Sequence, residues 1–112
     1  MKNLFGIIGG NRGRLHRDLP ICIADLANGF RTYLTVVDAF RVLMRNGPVG
    51  GRVSDVETRR TVIASANLME ADVAAAHLFG IEPSEVTFLD IAGKRGMGEI
   101  DFSKLRLLKA SA

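Results

Sequence analysis

Two carboxylates in this chain have neighbours that suit them to chemistry. Asp38 ends the run TYLTVVD, and Asp72 lies early in NLMEADVAAAHLFG. A carboxylate at the carboxyl end of a strand can hold a divalent metal, orient a hydroxyl or accept a proton. NGPVGG, carrying Gly47 and Pro48, lies between the two in sequence. A Gly-rich loop of this kind can bring backbone N–H groups against a phosphate or carboxylate. Lys2 and Asn3 stand before the turn at Gly6, where they could grip an anion. The candidate ligand-binding residues are therefore Lys2, Asn3, Asp38, Gly47, Pro48 and Asp72, with Asp38 and Asp72 as candidate metal ligands.

Each of these has a plainer reading. Asp38 can cap the turn that follows it, and the two readings stand level. Asp72 and Glu70 can simply favour the positive end of a helix dipole. Glu70 has the more specific role, because Asn67 and Glu70 have the spacing of a capping box. NGPVGG lacks the Gly-Lys-Ser/Thr ending of a P-loop and the spacing of a dinucleotide fingerprint, so a helix stop plus a turn explains it better. On physics alone, Lys2 and Asn3 read as a solvated terminus. His16 and His77 have no partner at metal-ligand spacing, and His16 sits among Arg12, Arg14 and Arg17. Cys22 is the only cysteine. One thiol forms no internal disulfide and no cysteine-ligated cluster, and the apolar setting PICIADLA makes it a small buried hydrophobe.

The elements that would position these groups follow from pattern. DLPICIADLANGF reads as a helix, with Asp18 as its cap and Pro20 in its first turn. Leu19, Cys22, Ile23, Leu26 and Phe30 form its apolar stripe, and Asn28-Gly29 its left-handed stop. TYLTVVD is a buried strand and AFRVLMRN a short helical turn with Phe40, Leu43 and Met44 inward. RVSDVE reads as exposed. RTVIASAN is a second buried strand, running into a helix from Asn67 to Gly80 whose packing face is Leu68, Ala71, Ala75 and Leu78. PSEVTFLDIAG is a further helix with Pro83 first, and KLRLLK a last strand. Strands separated by helices imply crossovers and a parallel sheet. The expectation is a single α/β domain over residues 1–112, a small, mainly parallel sheet of about three strands flanked by helices. Its site would lie at the carboxyl edge of the sheet.

Composition narrows the classes. The formal net charge is +3 and the basic residues are scattered; there is no Trp and only one Tyr. That disfavours nucleic-acid binding, which wants a basic stripe with aromatics to stack on. The weakest functional idea is RNA or DNA binding through Arg12, Arg14, Arg17, Arg59 and Arg60. No run approaches the roughly 20 apolar residues of a membrane span, and no signal-peptide pattern opens the chain. The expected setting is reduced and cytoplasmic, with no membrane partner.

The ordered set KNLFG, LHR, TVVDA, NGPVGG, VIAS, an Ala-Asp step in a helix and a late Gly-x-Gly resembles the domain-of-unknown-function 362 family over nearly the whole chain. The resemblance is to the C-terminal part of that family's domain. It implies further βα units upstream, a Lys- and His-bearing segment just ahead of the Lys-Asn-Leu turn, and a ferredoxin-like partner binding iron–sulfur clusters. The family pattern falls on Lys2, Asn3, Gly6, Asp38, Gly47, Pro48, Ser65, Asp72 and Gly98. Where the family commonly has Asp after Ala-Ser, this chain has Ala66-Asn67. The cluster cysteines are absent, so no iron–sulfur cluster is ligated within the chain. Two functions follow. One is the ligand- or divalent-metal-binding part of a redox-associated protein. The other is a non-catalytic partial domain completed by a homo-oligomer or by a missing N-terminal half, because a thin sheet leaves an edge and a face uncovered.

Overall fold

The computed structural model describes every residue except Asn11, Arg12, Arg14, His16 and Ala112. Lys2–Ile7 forms a short 3-10 helix, and the first α-helix, α1, runs Leu19–Gly29. Pro20 fits its first turn, where its missing N–H costs nothing. The Asp18 side chain makes no capping bond; the Cys22 N–H donates to the Asp18 backbone carbonyl instead, at 3.0 Å. Nor is Gly29 a left-handed stop. It ends the helix in regular geometry and the chain leaves extended at Phe30. The buried face is Ile23, Ala24 and Ala27, turned away from the expected stripe: Cys22 and Leu26 are half-buried and Phe30 is exposed.

The sheet corrects the expected topology. It has two strands, β1 (Thr35–Leu43) and β2 (Val56–Ser65), and they are antiparallel. Thr35 faces Ser65 at the base and Leu43 faces Val56 at the tip. The α/β class holds; the parallel arrangement of about three strands does not. The misreading begins at Asp38. Its Oδ1 accepts the Phe40 N–H at 2.8 Å, and the register shifts there, between Ala39 and Arg41. The extra residue is on β2, where Arg59 and Arg60 stand against Phe40 alone and Arg60 takes φ +48°; the bulge lets AFRVL continue as strand, with Arg41 paired to Thr58 and Leu43 to Val56. Without that helix there is no crossover, and a loop is enough to return the chain antiparallel. Phe40 and Leu43, expected inward, are exposed. KLRLLK forms no strand either. After a 3-10 turn at Phe102–Lys104 the chain continues without regular structure or backbone pairing.

The helix α2 (Leu68–Leu78) follows β2 directly and ends where Gly80 takes φ +69°. Its buried side chains are Met69, Ala71, Val73 and Ala76. Leu68, Ala75 and Leu78, expected on that face, are only half-buried. Pro83 opens a 3-10 turn, Pro83–Glu85, and the helix α3 follows at Thr87–Lys94. Arg95 Nη1 reaches Asp25 Oδ1 at 2.6 Å and ties the end of α3 to α1. The main core joins Met1, Ile23, Ala27, Met69, Val73, Ala76, Leu89 and Ala92. All of it comes from helices and the N-terminal turn. Ala39 is the one buried hydrophobic side chain on either strand. The hairpin therefore lies on the helical body with one side covered and one side bare.

Candidate functional site

Two polar centres organise this molecule, and one was not expected. In the hairpin loop Asp55, 8% exposed, gathers the chain around its carboxylate. Oδ2 accepts the Arg52 backbone N–H at 2.9 Å and the Asn46 side-chain amide at 3.1 Å, and Arg45 Nε stands 3.6 Å from Oδ1. The Arg52 backbone bond, then the Asn46 bond and the Arg45 contact, hold the Asp55 carboxyl below its ordinary value against the opposing effect of burial. The Met44 N–H closes the loop onto the Asp55 carbonyl at 2.8 Å. NGPVGG is thus fastened to Asp55 through Asn46, while its six residues stay exposed. A Cβ on Gly51 would stand 2.5 Å from Leu43 Cδ1. The RVSDVE reading as wholly exposed fails at Asp55, and no period in the sequence marks it.

The second centre is Asn67, the predicted helix cap. Its Oδ1 accepts the Met69 and Glu70 N–H groups at 2.9 and 3.1 Å. Its Nδ2 donates to the Met97 carbonyl at 2.9 Å, and its own N–H donates to Ser65 Oγ at 3.0 Å. One side chain therefore joins the end of β2, the start of α2 and the Gly96-Met97-Gly98 turn. A carboxylate here could accept both helix bonds but could not donate to Met97, which is a physical reason for an amide at this position. Glu70 does not complete the capping box. Its Oε1 accepts the Glu99 N–H at 3.3 Å.

The expected site residues are dispersed. Asp38 lies within β1, opposite Val62, on the exposed side. Gly47 and Pro48 lie at the hairpin tip. Asp72 lies in the second turn of α2, beyond the base of the hairpin. At ~3.3 Å per residue, the strand from Val56 to Ser65 separates tip from base by about 30 Å. The structure does bring the N-terminal segment to Asp72: the Met1 ammonium donates to Asp72 Oδ2 at 2.6 Å. Lys2 and Asn3 follow directly, both exposed. Among the described residues, no group of three or more His, Cys, Asp or Glu side chains is placed to hold a metal ion. Cys22 is free and half-buried. Arg12, Arg14 and His16 lie outside the described residues; Arg59 pairs with Glu57 at 2.8 Å. No described helix is long and apolar enough to cross a membrane.

A groove of about 820 Å³ lies between β2, α2 and the C-terminal segment. Thr61–Ser65 forms one wall, Glu70, Ala74 and His77 of α2 the floor, and Leu105–Ser111 the opposite wall. His77 stacks on Phe102, with ring centroids 3.6 Å apart and planes 12° from parallel. His77 is thus exposed and held at the groove by an aromatic face. The segment SKLR continues from Asp101, whose carboxyl is lowered by the Ser103 hydroxyl and backbone N–H.

The profile of the domain of unknown function DUF362 matches residues 1–77. The chain belongs to the DUF362 family. The matched part holds the N-terminal turn, α1, the hairpin and most of α2. It stops short of Gly98, so the wider resemblance expected from the late Gly-x-Gly is not part of the match. No curated protein and no solved structure matches the chain.

Proposed function

We propose that this DUF362 chain is a non-catalytic α/β unit that works by association, its bare sheet face covered by a second copy. The observation that carries the reading is the outer face of the hairpin. Val36 and Val62 are 59% and 64% exposed, and Phe40 is 49% exposed. Tyr33 and Leu34, just ahead of β1, are 79% and 66% exposed. A two-stranded ribbon is marginal by itself, and contiguous exposed apolar surface marks an interaction face.

A second copy fits the chemistry of that face. Its central pairs are Val36 with Ala64 and Asp38 with Val62. The one carboxylate among them already accepts the Phe40 N–H. Two such faces meeting about a twofold axis bury apolar against apolar, with Asp38 the one carboxylate each copy brings to these central pairs. Stacked sheets pack about 10 Å apart, which would give a four-stranded sandwich with the helices outside.

Sedimentation velocity across a dilution series tests this. Wild type is expected to be a dimer and Val36→Glu a monomer with unchanged far-ultraviolet circular dichroism. A folded wild-type chain that stays monomeric at every concentration overturns the reading. A wild type held monomeric until another polypeptide is added also overturns it, and points to a separate partner chain.

A further inference from the structure

We propose that the groove beside β2 binds an extended peptide as an added strand, and that it favours peptides carrying carboxylates between apolar residues. Three observations lead there. The first is the β2 edge. In a two-stranded antiparallel ladder, alternate residues of each strand turn N–H and C=O away from the partner. For Thr61–Ser65 those groups face the groove, and no backbone hydrogen bond outside the ladder reaches them among the described residues. Five residues of free edge offer a track of about 17 Å.

The second is the far wall. Leu105–Ser111 runs opposite that edge with no regular structure, and Leu107 and Leu108 are 44% and 95% exposed. An inserted strand would lie with β2 on one side, this segment on the other, and Ala74 with the stacked His77 beneath. Backbone bonds to an edge supply affinity in this mode, and pockets for alternate side chains supply selectivity.

The third is charge. Glu70 already accepts the Glu99 N–H. Arg106 and Lys109, on the far wall, form no ion pair among the described residues. Glu70 keeps its charge, but Arg106 and Lys109 outnumber it among the charged side chains lining the groove, so the net charge there is positive. This argues against the tail of a second copy as occupant, since it would bring another Arg106 and Lys109 against these. It favours a strand with carboxylates, and that preference concerns the β2 edge, separate from the outer face on which self-association rests.

The probe is a fluorescein-labelled, end-blocked peptide alternating valine and glutamate, read by fluorescence anisotropy with the full chain. Its counterparts carry lysine for glutamate, or backbone N-methyl groups on the odd or on the even residues. The glutamate peptide is expected to bind at least about tenfold more tightly than the lysine peptide. One N-methylated version should lose binding and the other keep it, because only alternate N–H groups face β2. The exposed double variant Arg106→Glu/Lys109→Glu should reverse the charge preference. Val36→Glu should bind as wild type does, so failure of the dimer and failure of the groove are read separately. No binding by the glutamate peptide, equal binding of both charge types, or indifference to N-methylation at either register overturns the proposal.

Discussion

Replacing Gly98 by alanine drives a methyl group into the side chain of Asn67. The new Cβ would stand 2.9 Å from Nδ2, 3.0 Å from Oδ1 and 3.2 Å from Cγ. Asn67 has nowhere to go. Its Oδ1 holds two helix N–H groups and its Nδ2 holds the Met97 carbonyl. Forcing that contact costs about 1–3 kcal/mol, the usual range for overpacking. Asn67→Ala alone removes the cap, about 1 kcal/mol, and strips the Met97 carbonyl of its donor, about another 1 kcal/mol. In the double variant the methyl meets no amide, so Gly98→Ala adds little. The expected coupling is about 1–3 kcal/mol. Urea denaturation of the four chains, with slopes held constant, measures it. Effects that add to within about 0.5 kcal/mol would refute the pinned-cap argument. Gly51→Ala is the control. Its Cβ would come nearer to its neighbour, 2.5 Å from Leu43 Cδ1, but Leu43 is exposed at the hairpin tip and can change rotamer. That change should cost under about 1 kcal/mol. A greater cost at Gly51 than at Gly98 would mean that bare distance, and not the pinning of the neighbour, sets the penalty.

Asp55→Asn should flatten the acid side of the stability–pH curve. The folded-state pKa of Asp55 is lowered, so its contribution is present above the ordinary carboxylate value and is lost as pH falls through the lowered one. An acid limb identical to wild type in chemical denaturation would count against the loop's dependence on this carboxylate. Met69→Ala, at a side chain 1% exposed in the helical core, should cost about 2–5 kcal/mol, seen as a lower urea midpoint. A loss below about 1 kcal/mol would place the core elsewhere. Lys94→Ala breaks only the exposed pair with Asp90, at 2.7 Å, and should change stability by less than about 0.5 kcal/mol. A larger loss would show that the last turn of α3 leans on that pair.

The helices were the readable part of this chain. Pro20, Asn67, Gly80 and Pro83 punctuate it by local rules, and each acts within a turn of its own position. The cap at Asn67 was legible for the same reason, but its bond to Met97 was not, since that partner lies thirty residues on. The hairpin is not legible locally because its pairing with β2 decides it. AFRVLMRN has apolar residues at both helical and strand spacing, and the pairing of Arg41, Val42 and Leu43 with Thr58, Glu57 and Val56 across the hairpin loop settles the matter. Asp55 was hidden because it follows NGPVGGR closely, a stretch that reads as solvent-facing loop. The candidate site fared worst. Its residues were gathered on the assumption of a parallel sheet, whose strand ends all point to one edge. Once β1 and β2 run antiparallel, the Gly-Pro loop goes to the tip and Asp72 stays near the base.

The same change of topology explains why the molecule should depend on company. A parallel sheet of three strands, wrapped by helices on both faces, would have made its own core. Here the cluster of buried side chains draws on no strand residue at all, and the strands offer Ala39 alone to the interior. The outer face of the hairpin nevertheless carries three exposed apolar side chains, Val36, Phe40 and Val62. Each such side chain is worth about 1.5–3 kcal/mol when buried and nothing while it faces water. A sequence that places them alternately along two paired strands has built one side of an interface. The association state of Val36→Glu therefore tests the fold's energetics as well as its function. If that variant stays folded and loses only its partner, the helical body stands alone and the hairpin's outer face exists to be covered.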